Sequence, residues 1–322
     1  MKATAFYAID PRTLANDGLS TTNNTQAATT PATTQGAATV TGLNRDEMYV
    51  ALTGNFGALK LGSPNSIGLG VAGDASPLGT AMGSGYTGLA SGTMMNSVVQ
   101  TRYNRSVRFD TPTMAGFTAS VLYAPGNDVA SATPSSVTGG TSTALPIPNN
   151  RAATEFGLKY AAGPLTASVG QIKQDAQVNK TGYYSGDQAA AAQQVATSAT
   201  IYAINYKIGD TTLYIGGNSG DRLAAKSSSA GAKVESKGTR LAIKQTIGQF
   251  DLIAQQTTQD TTGASADTKA KVTGLRADYN LSKTAAAYIG YAKITTGTPY
   301  VTTAALASGD LKTVAIGMRK SF

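Results

Sequence analysis

Apolar and polar residues alternate with a period of two along most of this chain. Near its end, Val314, Ile316 and Met318 fall on one parity, with Thr313, Ala315, Gly317 and Arg319 on the other. The same split sets Phe117, Ala119, Val121 and Tyr123 against Thr118 and Ser120, and Tyr202, Ile204, Tyr206 and Ile208 against Ala203, Asn205 and Lys207. Leu275, Ala277 and Tyr279 likewise oppose Gly274, Arg276, Asp278 and Asn280. Successive side chains of a strand leave opposite faces of its sheet, so the pattern predicts strands with one apolar and one polar face.

The connections between these runs are of two kinds. Short turns are expected at 54–57, 111–116, 162–164, 209–210, 248–249 and 281–283, and long polar loops at 11–44, 64–100, 126–150, 176–197 and 222–237. Lipid offers no hydrogen-bond partner, so a sheet that crosses a membrane must pair every backbone group with a neighbouring strand. A meander with tight turns at one end and long loops at the other meets that demand. The expected fold is all-β: a transmembrane antiparallel β-barrel of about 14 strands, forming a single domain over residues 1–322. Phe56, Phe109, Phe117, Tyr160, Tyr206, Phe250, Tyr279 and Phe322 sit close to the short-turn end, as one interfacial girdle requires. A large soluble β-sandwich also alternates, but it hides its apolar face in a core and has no reason to segregate loop lengths.

Composition narrows the chemistry. The 322 residues include no Cys, His or Trp, which removes disulfides, thiol chemistry, the usual zinc sites and His-based triads. No cofactor is expected. The net charge of +8 would ordinarily raise nucleic acid as a partner, yet the bases are spread singly, without a basic run or basic helix, so no nucleic-acid binding is expected. There is no apolar stretch of about 18 residues, hence no transmembrane helix.

Enzyme motifs fare poorly. Gly68-Leu69-Gly70-Val71-Ala72-Gly73 matches the dinucleotide fingerprint in letters, but Asp74-Ala75-Ser76-Pro77 follows where a helix should begin, and no βαβ unit surrounds it. The acid pair Asp46-Glu47 points to opposite faces of its strand, which gives paired-carboxylate catalysis little support. Acids such as Asp128 and Asp187 form no Asp-x-Asp cluster for calcium.

If the apolar parity faces lipid, the other parity faces a lumen. The inward bases are then Lys2, Arg45, Lys60, Arg102, Arg108, Lys159, Lys207, Arg240, Lys244, Arg276 and Arg319, and the inward acids are Asp10, Glu47, Asp110, Glu155, Asp251 and Asp278. Bases outnumber acids. Fixed bases in a narrow passage with low-dielectric walls enrich anions and repel cations. For any single base, pairing with a nearby carboxylate is an equal alternative. Residues 64–100 are too long for an ordinary connection, rich in Gly and small residues, and carry one charge, Asp74. They are the expected constriction. Arg102 and Arg108 share a parity, whereas Arg105 has the opposite one and is expected outside the passage.

Two segments carry a resemblance. The run from Asn44 to Gly57, with Arg45-Asp46-Glu47-Met48-Tyr49 and Gly54-Asn55-Phe56-Gly57, is similar to the strand and turn that precede the inward-folded loop in outer-membrane porins of the beta-proteobacterial type. Arg102-Tyr103-Asn104-Arg105-Ser106-Val107-Arg108-Phe109-Asp110-Thr111-Pro112, followed by Gly116-Phe117 and Tyr123-Ala124-Pro125-Gly126, resembles the strand pair after that loop. Phe322, with alternate apolar residues upstream, is similar to the signal read by the barrel assembly machinery. The resemblance covers essentially the whole chain. It implies a homotrimer of sixteen-stranded barrels in the Gram-negative outer membrane, surrounded by lipid and lipopolysaccharide, with residues 64–100 folded into the lumen opposite Arg102 and Arg108. It makes Asp74 either a selectivity acid or an ordinary turn residue beside Gly73.

Residues 1–10 resemble the family's third strand, so two strands and a signal peptide are expected to be missing and Met1 to be an internal Met. Ser63 stands where the family often has Arg. The function expected is passive diffusion of small hydrophilic solutes and ions, with small anionic solutes preferred. The alternative is a surface adhesion or interaction barrel with a plugged lumen and active extracellular loops. The residues expected to line the passage are Arg102, Arg108, Arg45, Lys60, Glu47, Asp74, Arg240, Lys244 and Arg276.

Overall fold

The computed structural model describes residues 2–9, 45–86, 98–103, 105–126, 152–175, 196–221, 235–262, 268–296 and 311–320. The expected loop 11–44 and nearly all of 126–150, 176–197 and 222–237 lie outside these residues, as do Asp10, Asp128, Asp187 and Phe322. The described residues form 14 strands in one sheet, and every strand is paired antiparallel with the next in sequence.

The strands are β1 (Lys2–Ile9), β2 (Arg45–Gly54), β3 (Gly57–Ser63), β4 (Ser106–Asp110), β5 (Phe117–Ala124), β6 (Ala153–Ala162) and β7 (Leu165–Gln174). They continue as β8 (Thr197–Ile208), β9 (Thr211–Asp221), β10 (Glu235–Ile247), β11 (Phe250–Thr262), β12 (Thr268–Ser282), β13 (Ala285–Thr296) and β14 (Leu311–Lys320). Two-residue turns join β8 to β9 and β10 to β11. Gly209 and Gly248 open them at φ of 56° and 58°, a left-handed conformation that a tight hairpin needs and glycine adopts without strain. β1 pairs with β2 and β14 with β13, so among the described residues the sheet keeps two free edges.

The two parities separate cleanly. Ile204, Ile215 and Leu241 are register partners across β8, β9 and β10, and they are 47%, 51% and 52% exposed. Leu275, Ile289 and Ile316 continue the same apolar surface. A sandwich would pack this face against a second sheet. Here it faces outward, as a lipid-facing wall does. Toward the short turns, Phe117 lies 4.7 Å from Tyr160 and Phe250 5.0 Å from Tyr279, ring centre to ring centre, as paired members of the expected girdle.

The inner face departs from a simple polar lining. Leu122, Ile172 and Ile201 point inward and are fully buried, because residues 66–86 and 98–103 lie over them. Within that cover stands a helix, α1 (Ile67–Asp74), where the sequence suggested only a glycine-rich loop. Three glycines in two turns cost about 1 kcal/mol each relative to alanine. Burial of Ile67 and Val71 against the wall returns about 1.5–3 kcal/mol apiece, so tertiary contact decides the conformation. The wall makes room: a methyl on Gly157, Gly216 or Gly274 would collide with Ile67, Ala75 or Gly83 respectively. One short segment therefore touches the same face of the sheet from β5 to β12, and the sheet must curve around it.

Candidate functional site

The segment enters the interior at Asn65, just past β3. Three contacts converge there. The Asn65 backbone N–H donates to Glu47 Oε1 at 2.7 Å, Arg108 Nη1 donates to the Asn65 carbonyl at 2.8 Å, and Arg102 Nη1 donates to Asn65 Oδ1 at 3.0 Å. One residue thus draws together side chains from β2, from β4 and from the returning chain. Asn65 escaped the sequence reading because an uncharged residue after Pro64 carries no periodic or electrostatic signal.

Arg102 stands off β4. The chain makes an isolated bridge between Asn65 and Arg102, then turns through Arg105 at φ of 56° before β4 begins at Ser106. The shared parity of Arg102 and Arg108 on one strand does not hold. Their proximity arises from the turn and from Asn65. Arg105 is exposed.

Beneath this knot lies an ion cluster on β3 and β4. Asp110 receives Lys60 Nζ at 3.1 Å and Arg108 Nη2 at 2.9 Å, while Ser120 Oγ donates to it at 2.6 Å. Lys60 also stands 5.5 Å above the Tyr49 ring. Lys60 is the register partner of Arg108, so two like charges sit side by side and are held there by the carboxylate they share. Lys60, Arg102 and Arg108 thus gather at the root of the loop with Glu47 and Asp110, and Glu155 stands behind them under Tyr103.

The remaining candidates are spread around the wall. Asp74 closes α1, and its carboxylate takes Lys159 Nζ at 2.7 Å. Lys244 pairs with Asp251 at 3.1 Å on β10 and β11. Arg276 meets Asp278 at 2.6 Å and lies 5.1 Å from the Tyr288 ring centre, with Arg319 3.6 Å from the same carboxylate. Arg240 is fully buried under α1 and donates from Nη1 to the Ala72 carbonyl at 2.9 Å. Arg45 begins β2, and its side chain lies outside the described residues. Lys207 is exposed and makes no ion pair among the described residues.

Chemically the arrangement holds ionised groups along one face of a wall, mostly in pairs, with an excess of bases at the loop root. Glu155 departs from this layout. It is buried beneath Tyr103, whose hydroxyl donates to it at 2.9 Å.

Over residues 5–299 the chain matches a protein family described as Gram-negative porin. No curated protein matches its sequence. An anion-selective porin from Comamonas acidovorans has a similar fold, with a TM-score of 0.60 at 21% identity over 87% of this chain and 79% of that one. The loop L8 deletion mutant of OmpT, an outer membrane protein of Vibrio cholerae, gives 0.59 at 16% identity over 87% and 80%. OmpF of Salmonella typhi, solved with daunomycin, gives 0.54 at 11% identity over 86% and 78%.

Proposed function

From the premise that this chain belongs to the Gram-negative porin family, we propose that it passes small hydrophilic solutes and ions by passive diffusion and prefers anions. It is an outer-membrane β-barrel protein, a channel rather than an enzyme. In this reading residues 64–100 narrow the passage. Lys60, Arg102, Arg108 and Arg45 line the constricted side with Glu47, and Lys244 and Arg276 line the wall beyond it. Asp74 and Arg240 serve the loop.

The observation that supports the anion preference is the gathering of three bases, Lys60, Arg102 and Arg108, at the loop root beside Glu47 and Asp110. Bases gathered in a narrow passage raise the local concentration of anions. The selectivity named for the Comamonas acidovorans porin agrees with this reading.

The working form is a homotrimer in outer-membrane lipid and lipopolysaccharide, with Phe322 as the contact for the assembly machinery. A trimer form is named for OmpT of Vibrio cholerae. The test is the reversal potential of the folded protein in a planar bilayer across a salt gradient. The sign expected is that of an anion-preferring pore. Cation preference would overturn the selectivity, and a folded, closed trimer that carries no current would instead support the plugged adhesion barrel.

A further inference from the structure

We propose that Glu155 and Arg240 are positioning residues that clamp the two ends of α1 across the passage, and that the Arg240 charge acts on the helix rather than on permeating ions. The proposal rests on the channel reading above and extends it to how the constriction is set.

Helix α1 cannot hold itself. It has two turns, three glycines, no acid in its first turn and no base in its last, so neither propensity nor its own charges favour it. The wall supplies both. At the amino end, Ser66 Oγ accepts from the Leu69 N–H at 2.9 Å, and Glu155 Oε2 on β6 accepts from the Gly68 N–H at 3.0 Å. At the carboxyl end, Arg240 on β10 donates to the Ala72 carbonyl at 2.9 Å, and Asn205 on β8 donates to the Asp74 carbonyl at 2.9 Å. The carboxylate meets the positive end of the helix dipole and the guanidinium meets the negative end. Reversed charges would repel the helix from the wall.

Both residues are 0% exposed, and neither has an ion-pair partner of opposite sign among the described residues. Each is compensated by an end of the same helix. Arg240 Nε and Nη2, the edge that would grip a carboxylate side-on, are buried and have no partner among the described residues. Burying a cation with an unused fork is unfavourable, and replacing buried ions by apolar groups of similar volume is often neutral or stabilising. The single bond that Arg240 does make fixes where the carboxyl end of α1 sits. Its charge is hidden from water behind that helix and opposes the helix's own negative end.

The test compares Arg240→Met, Arg240→Lys and Glu155→Gln in the folded full-length chain by two readouts. Hydrogen exchange of the 66–75 amides should quicken at least tenfold in Arg240→Met, with the heat resistance of the barrel unchanged, and should return to the parent rate in Arg240→Lys, which keeps the charge and can make the one bond used. Glu155→Gln should quicken it less, because the amide oxygen still accepts. In bilayers, Arg240→Met should raise conductance and open-state noise while keeping the anion-to-cation permeability ratio. A ratio that falls as far as in Arg108→Met, or helix exchange unchanged in Arg240→Met, overturns the clamp. Should the parent carry no current while the exchange pattern holds, the channel reading fails and the clamp stands. If Arg240→Met does not fold, parent-like exchange in Arg240→Lys supports the proposal and accelerated exchange there overturns it.

Discussion

In the proposed channel, Asp110 governs the charge balance at the loop root. It neutralises half of the Lys60 and Arg108 pair that it joins. Asp110→Asn would release both bases, and the anion-to-cation permeability ratio should rise about twofold in reversal-potential measurements. Arg108→Met should lower it by a similar factor, because its charge is lost while Asp110 stays satisfied by Lys60 and Ser120. At this scale the sequence was informative about which residues are ionised and on which face, and left open whether each base pairs and with which carboxylate. Lys159, Lys244 and Arg276 each found a carboxylate from another part of the chain or a neighbouring position on the wall. Of the two readings of Asp74, the geometry adds a third, an acid that ties the end of α1 to β6. Asn65 had no sequence signal at all, since its importance is that three distant groups reach it.

Individual strands were legible because each carries its own evidence: alternation sets the faces and glycine sets the turns. Ile204 and Lys207 lie on opposite faces of β8. Ile204→Lys would therefore put an ammonium against lipid and should destabilise the barrel by about 2–4 kcal/mol, measured by urea unfolding in vesicles. Helix α1 was illegible for the opposite reason. Its residues argue locally against a helix, and its stabilisation comes from Leu122, Ile172, Ile201 and the buried Glu155 and Arg240 side chains on strands far away in sequence. The one faint trace is on the wall, where inward positions carry bare glycines. Gly216→Val would drive side-chain atoms into Ala75. It should destabilise the fold by about 1–3 kcal/mol and shift the loop, which a change in single-channel conductance would report.

For the whole molecule, the segregation of short and long connections was enough to distinguish a single curved wall from two packed layers, and the sheet follows it strand by strand. What no local pattern could give is how strongly the interior is compensated. Among the described residues Asp74, Asp110, Asp251 and Asp278 each hold at least one base, so the field that remains is smaller than the full basic count implies. Such a field is screened within about 8 Å at physiological ionic strength and about 3 Å in molar salt. Ion preference should accordingly fall toward that of bulk electrolyte as salt rises, whereas the size limit for neutral sugars in liposome swelling should stay constant.

The bare positions of the wall carry a final implication. In the proposed channel, clearance depends on the segment that Gly157, Gly216 and Gly274 admit, and ion preference on Lys60, Arg102 and Arg108 at its root. Bore and charge are thus only partly separable, because Arg102 and Arg108 carry charge and also hold Asn65, where the segment enters. A lineage carrying this architecture can therefore resize its sieve at the wall glycines, where the segment must shift to admit a side chain, without adding or removing a charge.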